Sequence, residues 1–211
     1  EAMAQRLRAY YFRKLARYLE PVEYRRVRAL RARTSPQISI PELLYLRWAI
    51  RAFKPCTVVE IGSFCGGSTS LIADAVMQLG RGKVYAIDFF SKSPATSGFG
   101  AGYSKAFDRA MEPHHGWFEK IEGNSKTVPW QQPIDFLFID GDHSEAGVSA
   151  DIAKYAPFVR TGGCVFLHDY LDNPTTNSMV KTAVDKTLMA SPAYRLLGQV
   201  GSLIAFQKLL V

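Results

Sequence analysis

Short apolar runs alternate with longer amphipathic stretches along most of this chain. The clearest example is a β-branched run at 57–61, followed by a glycine-rich turn at 62–67 and an amphipathic stretch at 71–79. Runs of the first kind predict strands, and they recur at 83–88, 117–121, 134–140 and 164–167. Stretches of helical period occur at 43–50, 103–111, 144–159 and 179–189. Strands that alternate with helices predict a parallel sheet with helices packed on its faces.

The C-terminal pattern differs in kind. Two apolar runs, 194–198 and 202–206, are separated by a short connection that contains glycine, which predicts a β-hairpin. We therefore predict an α/β fold with a Rossmann-like, doubly wound, seven-stranded sheet. The sheet is expected to be mostly parallel, to end in an antiparallel C-terminal hairpin strand, and to follow N-terminal helices.

The N-terminal segment carries the net charge of the chain. Its first 35 residues hold ten Lys or Arg against three Glu, while the rest hold sixteen of each sign. Apolar residues recur there at helical spacing, at Leu7, Tyr11, Leu15 and Leu19. We predict a basic helical appendage at 1–35, interrupted at Pro21, and a separate domain at 36–211. The appendage is expected to pack on the core or to pair with a second copy in a homodimer; contact with a membrane surface or nucleic acid is the alternative.

Composition indicates the class of protein and its compartment. No apolar run approaches the ~20 residues that cross a bilayer, and the basic N-terminus does not resemble a signal peptide. The three cysteines show no CxxC spacing, so we expect reduced packing residues in a cytoplasmic protein. The Ser-, Gly- and Ala-rich segment 91–104 predicts a mobile loop that helps to shape a ligand pocket. His114 and His115 are expected at the surface.

Acidic residues stand at the ends of three predicted strands. Asp88, Asp140 and Asp169 fall where a doubly wound sheet binds ligands, beyond the carboxyl ends of its strands. Asp88 follows Gly66 by 22 residues, the spacing at which an acid can bind a ribose diol; a solvated strand-end acid is the alternative. Glu60 ends its strand with a carboxylate that needs hydrogen-bond donors, so it either orients the glycine turn or reaches a ligand amine.

Two histidines accompany these acids. Asp140, His168 and Asp169 form a set of oxygen and nitrogen donors that suits a divalent ion, although an Asp–His hydrogen-bonded pair without metal is the alternative. An imidazole in the set favours Mn²⁺, Fe²⁺ or Zn²⁺ over Mg²⁺. His143, three residues after Asp140, could accept a proton from a substrate hydroxyl near neutral pH, or merely contact a helix N-terminus.

Two segments resemble a known family. Glu-Ile-Gly-Ser-Phe-Cys-Gly-Gly-Ser-Thr at 60–69 resembles the cofactor loop of class I S-adenosylmethionine-dependent methyltransferases. Ile-Asp-Gly-Asp-His-Ser at 139–144, followed by Gly162-Gly163 and His168-Asp169, is similar to the small-molecule O-methyltransferases, especially those of the macrolide-sugar and cephamycin pathways. The likeness runs from about residue 40 to the C-terminus. It implies a methyltransferase domain at 36–211 that methylates a hydroxyl of a small molecule or sugar.

The resemblance also implies roles for residues. S-adenosylmethionine would be bound by Glu60, Gly62, Ser63, Gly66, Ser68, Asp88, Asn124, Ser125 and Asp140. Within that set Glu60 supports the loop, Asp88 binds the ribose, and Asn124, which replaces the family's Asp, meets the adenine. Asp140, His168 and Asp169 would hold Mg²⁺ or Mn²⁺, although relatives have Asp or Glu at 168. His143, with Asp140, would be the catalytic base of an in-line methyl transfer.

Three other functions are compatible with parts of the sequence. A nicotinamide-dependent oxidoreductase needs a Gly-x-Gly-x-x-Gly spacing, which Phe64 and Cys65 break, and leaves the C-terminal hairpin unexplained. A methyltransferase-like domain without catalysis, which binds a partner through its basic arm, is opposed by the presence of Asp140, His143 and Asp169. Nucleic-acid methylation is opposed by the neutral core and by the lack of an Asn/Asp-Pro-Pro-Tyr base-flipping motif.

Overall fold

A computed structural model describes residues 20–34, 36–90, 103–171 and 178–210. The helices are α1 Pro21–Thr34, α2 Ile40–Phe53, α3 Gly67–Leu79, α4 Tyr103–Met111, α5 Glu145–Tyr155 and α6 Ser178–Val184. The strands are β1 Thr57–Ile61, β2 Lys83–Asp88, β3 Phe118–Glu122, β4 Ile134–Ile139, β5 Val159–Leu167, β6 Tyr194–Val200 and β7 Leu203–Lys208. Helix α6 continues as a π-helical segment, Asp185–Met189.

The strands in the described part of the chain form one seven-stranded sheet in the order β3-β2-β1-β4-β5-β7-β6. Strands β1 to β5 run parallel to one another, whereas β7 runs antiparallel to both β5 and β6. The order reverses at β1, because β2 and β3 lie on one side of it and β4 and β5 on the other. This topology confirms the predicted α/β fold and its closing hairpin.

Each face of the sheet packs against its own helices. Successive residues of a strand point to opposite faces. Val58 therefore packs in the cluster that holds the apolar side chains of α2, α3 and α4, and Val59 in the cluster with those of α5 and α6. The central strands are buried on both sides, which is why they read as nearly continuous apolar runs.

The observed bounds of β5 and α5 differ from the predicted ones. Strand β5 begins at Val159 and includes the Gly162-Gly163 pair that predicted a turn, because a register shift opposite β4 accommodates the extra residues. Helix α5 ends at Tyr155 and gives way to a 3₁₀ turn, Ala156–Phe158. Its predicted N-cap is confirmed: the hydroxyl of Ser144 accepts the N–H of Gly147 at 3.0 Å.

Helix α1 is bound to the core by buried ion pairs. Arg47 on α2 is fully buried; its guanidinium donates to Glu23 of α1 at 2.9 Å and to Asp74 of α3 at 2.8 Å. Arg26 of α1 donates two further bonds to Asp74, at 2.7 and 2.8 Å. The C-terminal half of the predicted appendage is thus helical and packed on the domain.

Other N-terminal predictions remain open. The boundary at residue 35 and the homodimer stay predictions, and the stripe from Leu7 to Leu19 lies outside the described residues. The predicted loop over 91–104 also lies outside them, except for its last two residues, which begin α4. No helix in the described ranges combines the length and the apolar character that crossing a membrane would need.

The surface expectation was wrong for one histidine. His115 is exposed, as expected, but His114 is only 2% exposed, because the 3₁₀ turn Glu112–His114 carries it inward after α4. All three cysteines are free thiols. The packing interpretation holds for the buried Cys164 and fails for Cys56, which is exposed.

Candidate active site

A cavity of about 850 Å³ opens at the carboxyl ends of β1, β2, β4 and β5. Its walls include most of the residues that the sequence nominated. Those that line it are Gly62, Ser63, Ser68, Asp88, Asn124, Ser125, Asp140, His143, His168 and Asp169. Two nominated residues, Glu60 and Gly66, do not line it. The cavity lies at the switch point of the strand order, where doubly wound sheets bind their ligands.

The glycine turn brings two strand ends close together. Gly62 has φ of +88°, and a Cβ there would lie 2.1 Å from the backbone oxygen of Asp140, so only glycine fits. Gly66, with φ of +78°, precedes α3 and packs against Phe107 and Ala110 of α4. The role of Gly66 is therefore to shape the turn, while the start of α3 faces the cavity through Gly67 and Ser68.

Glu60 holds the turn from behind. Its buried carboxylate accepts hydrogen bonds from the hydroxyls of Ser63, Ser68 and Thr69. Burial raises the pKa of Glu60 to about 7, although these three hydroxyls oppose the shift. This arrangement favours the first of the two roles that the sequence left open for Glu60, which is to orient the turn.

Asp88 joins the turn to the loop after β2. One carboxylate oxygen accepts the N–H of Phe64 at 2.7 Å, and the other accepts the N–H of Phe89 at 2.6 Å and the hydroxyl of Tyr103 at 3.2 Å. A carboxylate offers about four acceptor positions. A ribose diol that takes two of them must therefore displace one present donor, and the longest bond is that of Tyr103.

Asn124 and Ser125 lie at the end of β3. The side-chain oxygen of Asn124 accepts the N–H of Lys126 at 2.9 Å and keeps one lone pair for another donor. The hydroxyl of Ser125 donates to Asp151 at 2.6 Å and so presents its lone pairs as acceptors. Both side chains can still accept from a ligand amine or hydroxyl.

The acids and histidines meet at the ends of β4 and β5. The ring of His143 lies between two carboxylates, with Nε2 3.4 Å from Asp140 and Nδ1 3.4 Å from Asp169. The Nε2 contact lacks the alignment of a hydrogen bond, so this buried nitrogen remains without a partner in the described part of the chain. His168 is more deeply buried, and its Nδ1 lies 3.1 Å from Asp140 and 3.5 Å from Asp169.

These neighbours set the charges of the cluster. Burial alone would raise the pKa of Asp140, but His168 and His143 bring it below its usual range. Contact with Asp140 raises the pKa of His143. For His168, burial opposes protonation, yet Asp140, Glu42 and Asp169 together raise its pKa far above the usual range. The site thus holds His168 as a buried cation among three carboxylates.

Glu42 is the member of this group that sequence reasoning missed. One of its oxygens accepts the N–H of Ser202 at 2.7 Å and lies 3.8 Å from Nε2 of His168. The other accepts the N–H of Ser39 at 2.8 Å in a capping box at the start of α2. The signal was present as Ser39 followed three residues later by Glu42 before an apolar run.

One group of described side chains could hold a metal ion. The ligand atoms of Asp140, His143 and Asp169 lie within 4.8 Å of one another. This set differs from the predicted one, which had His168 in place of His143. His168 lies outside this group, with its Nδ1 3.1 Å from Asp140 and its Nε2 3.8 Å from Glu42. Two carboxylates and the His143 imidazole remain as suitable donors for a divalent ion.

Comparison with protein families identifies a matching family. The family model described as "Methyltransferase domain" matches residues 59–170, which is more than half of the chain. The matched segment includes the glycine turn, Asp88, Asn124 and the cluster around Asp140.

Solved structures share the fold over nearly the whole chain. A candidate caffeoyl-CoA O-methyltransferase from Staphylococcus aureus is 18% identical with a TM-score of 0.67, covering 96% of this chain and 99% of its own. An O-methyltransferase from Bacillus cereus, solved in complex with SAH, is 17% identical with a TM-score of 0.63, covering 95% and 100%. CalS11, a TDP-rhamnose 3'-O-methyltransferase of calicheamicin biosynthesis, is 17% identical with a TM-score of 0.59, covering 82% and 80%.

Proposed function

This chain belongs to the family of methyltransferase domains, and from that premise we propose that it transfers the methyl group of S-adenosylmethionine to a hydroxyl of a small molecule or sugar. The observation that carries the proposal is the position of His143 between Asp140 and Asp169 in the cavity that the glycine turn borders. The candidate base therefore lies in the same cavity that is expected to bind the cofactor, at the switch point of the strand order.

The cavity suits the cofactor in size and in chemistry. Its volume of about 850 Å³ is that of an ordinary small-molecule site. Asp88 would accept from the ribose hydroxyls, and Asn124 or Ser125 would accept from the adenine amine. The backbone of the turn at Gly62 and Ser63 would contact the amino-acid end of S-adenosylmethionine. The carboxylates of Asp140 and Asp169 would attract the positive sulfonium.

The residues support an in-line displacement. The substrate oxygen forms a bond to the methyl carbon while the carbon–sulfur bond breaks, and the sulfur leaves with the electron pair as S-adenosylhomocysteine. His143 accepts the hydroxyl proton, and Asp140 and Asp169 stabilise the imidazolium that results. His168, already charged, would leave the base role to His143.

A divalent ion fits the same donors. Asp140, His143 and Asp169 would hold it, and when bound it would supply positive charge that lowers the pKa of the substrate hydroxyl. In that case His143 would serve as a ligand in place of acting as the base. The mixed carboxylate and imidazole set favours Mn²⁺ over Mg²⁺.

The acceptor is proposed from two kinds of support. The run from Ile139 to Ser144 resembles small-molecule O-methyltransferases, and the structures of similar fold include a candidate caffeoyl-CoA O-methyltransferase and a TDP-rhamnose 3'-O-methyltransferase. A hydroxyl oxygen is also the nucleophile that a histidine base between two carboxylates suits.

Calorimetric titration with S-adenosylhomocysteine tests the cofactor. We expect micromolar binding that Asp88→Ala weakens about ten- to a hundredfold, since hydrogen bonds to a carboxylate are lost. Glu122→Ala is the matched control, because Glu122 pairs with Asp88 in register across β2 and β3 but does not line the cavity. Thermal unfolding of both variants separates lost contacts from lost folding. No binding by the wild-type chain, with or without Mn²⁺, would overturn the proposal.

A further inference from the structure

A second cavity lies between α1, α3 and α4. It measures about 660 Å³, and within the described ranges it shares no lining residue with the cofactor cavity. The two are neighbours through the glycine turn, because Phe64 lines the first and Cys65 the second. A cavity of this volume is within the range of small-molecule sites. The proposed methyl transfer makes no use of it.

Two helices face each other across this cavity. Helix α1 lines it with residues at helical spacing, Arg26, Ala29, Leu30 and Arg33. Helix α4 and the turn after it do the same with Ala106, Arg109, Ala110 and Pro113. Residues at positions i, i+3, i+4 and i+7 share one face of a helix. Alanines at the centre of both faces leave open the space that larger side chains would fill.

The walls carry excess positive charge. Arg26, Arg33 and Arg109 line the cavity with Asp74 as the acid, and Asp74 is already bound by Arg26 and by the buried Arg47. Arg33 and Arg109 are exposed at the rim, and neither forms an ion pair with another residue in the described part of the chain. Exposed guanidinium groups that form no ion pair are suited to bind carboxylate or phosphate oxygens.

A buried histidine completes the wall. His114 is 2% exposed, and neither of its ring nitrogens has a hydrogen-bond partner among the described residues. Burial lowers its pKa, so the ring is neutral near pH 7 and offers one donor and one acceptor. An imidazole buried without partners is costly, and a ligand that bonds to it removes that cost.

We propose that this cavity binds a small organic anion, whose charged group pairs with Arg33 and Arg109 and whose body contacts the alanines and reaches His114. Arg33 and Arg109 supply the attraction at the rim. Ala29, Ala106 and Ala110 provide the apolar walls, and His114 provides a polar contact within.

Phenyl phosphate is a suitable probe, because it joins a phosphate to a small apolar body. It is titrated calorimetrically into the full chain with and without saturating S-adenosylhomocysteine, so that binding in the cofactor cavity is recognised by competition. We expect one site that the cofactor product does not block. Arg33→Gln and Arg109→Gln should each weaken it about tenfold, and Arg28→Gln, on the same helix but outside the cavity lining, should leave it unchanged.

Nitrogen NMR of the histidine-labelled chain locates the site. Phenyl phosphate should shift the ring signals of His114 and leave those of His143 and His168 unmoved. His114→Gln should weaken binding without changing the affinity for S-adenosylhomocysteine. Absence of binding up to about 10 mM, equal binding by the two rim variants and wild type, or shifts at His143 instead of His114 would each overturn the proposal.

Discussion

At the scale of single residues, the two histidines of the cluster have opposite roles. His168 is enclosed by Asp140, Asp169 and Glu42, and these carboxylates raise its pKa far above the usual range. His143 is more exposed and lies between two of the same acids, so it can gain and lose a proton in contact with the cavity. Proximity to the same carboxylates thus gives one histidine a fixed charge and the other an exchangeable proton.

His143→Gln should lower kcat by about a hundred- to ten-thousandfold, the usual contribution of general-base catalysis. Its raised pKa also sets the pH profile of the wild-type enzyme. The base must be unprotonated, so kcat/KM should rise with pH through a midpoint above 6.5, the ordinary histidine value. Asp169→Asn removes one stabilising charge and should move that midpoint to lower pH. A profile without this acid limb would contradict the base role.

EDTA treatment distinguishes the two roles that are possible for His143, as the catalytic base or as a metal ligand. If a divalent ion assists, activity falls after EDTA and returns with Mn²⁺, and both His143→Gln and Asp169→Asn bind Mn²⁺ more weakly than wild type. Activity that survives EDTA unchanged assigns His143 as the base alone.

At the scale of elements, the ion pairs of Arg47 join α1, α2 and α3. Arg47→Ala leaves Glu23 and Asp74 buried with fewer partners, and we expect it to lower the free energy of unfolding by about 3–5 kcal/mol. Arg28→Ala, an exposed position on α1, should change it by less than about 0.5 kcal/mol. Urea unfolding at constant pH measures both. Equal stability of the two variants would show that α1 is held by apolar packing alone.

The elements also show how far pattern reasoning reaches. The spacing of apolar residues, together with the turn residues, predicted the strands and most helices. This works because an element that packs on a sheet face must place its apolar residues at a regular spacing. The start of β5 was missed, since a bulge and a turn use the same glycines. The inward position of His114 depends on the 3₁₀ turn after α4. The partners of Arg47 lie on α1 and α3, far from it in the sequence, so pattern reasoning reaches neither feature.

The candidate site was predictable in part for the same reason. Asp88, Asp140 and Asp169 were placed by the rule that parallel strands end at one edge. The grouping of His143 with Asp140 and Asp169 was not, because it depends on the direction of each ring and on the contact between His168 and Glu42, which lies far from it in the sequence. The metal set with His168 stays a prediction.

At the scale of the whole molecule, these buried groups should shape how stability depends on pH. Glu42 and Asp140 have lowered pKa values, so their stabilisation is present above about pH 4.5 and is lost as the pH falls. His168 and His143 have raised pKa values, so theirs is complete below about pH 6.5 and declines as the pH rises. His114 has a lowered pKa, so its contribution makes stability increase as the pH rises to about 6.5.

Glu60 also makes stability fall as the pH rises, but over a lower range. With a pKa of about 7, the folded chain holds a proton at Glu60 that the unfolded chain releases near pH 4.3, so stability falls between these two values. Urea unfolding from pH 4 to 9 should therefore show stability that declines above about pH 6.5, where Glu60, His143 and His168 act in the same direction. Glu60→Gln removes this proton release and should flatten the slope between about pH 5 and 7. A variant with the wild-type slope would mean that Glu60 is charged throughout, its three hydroxyl partners outweighing its burial.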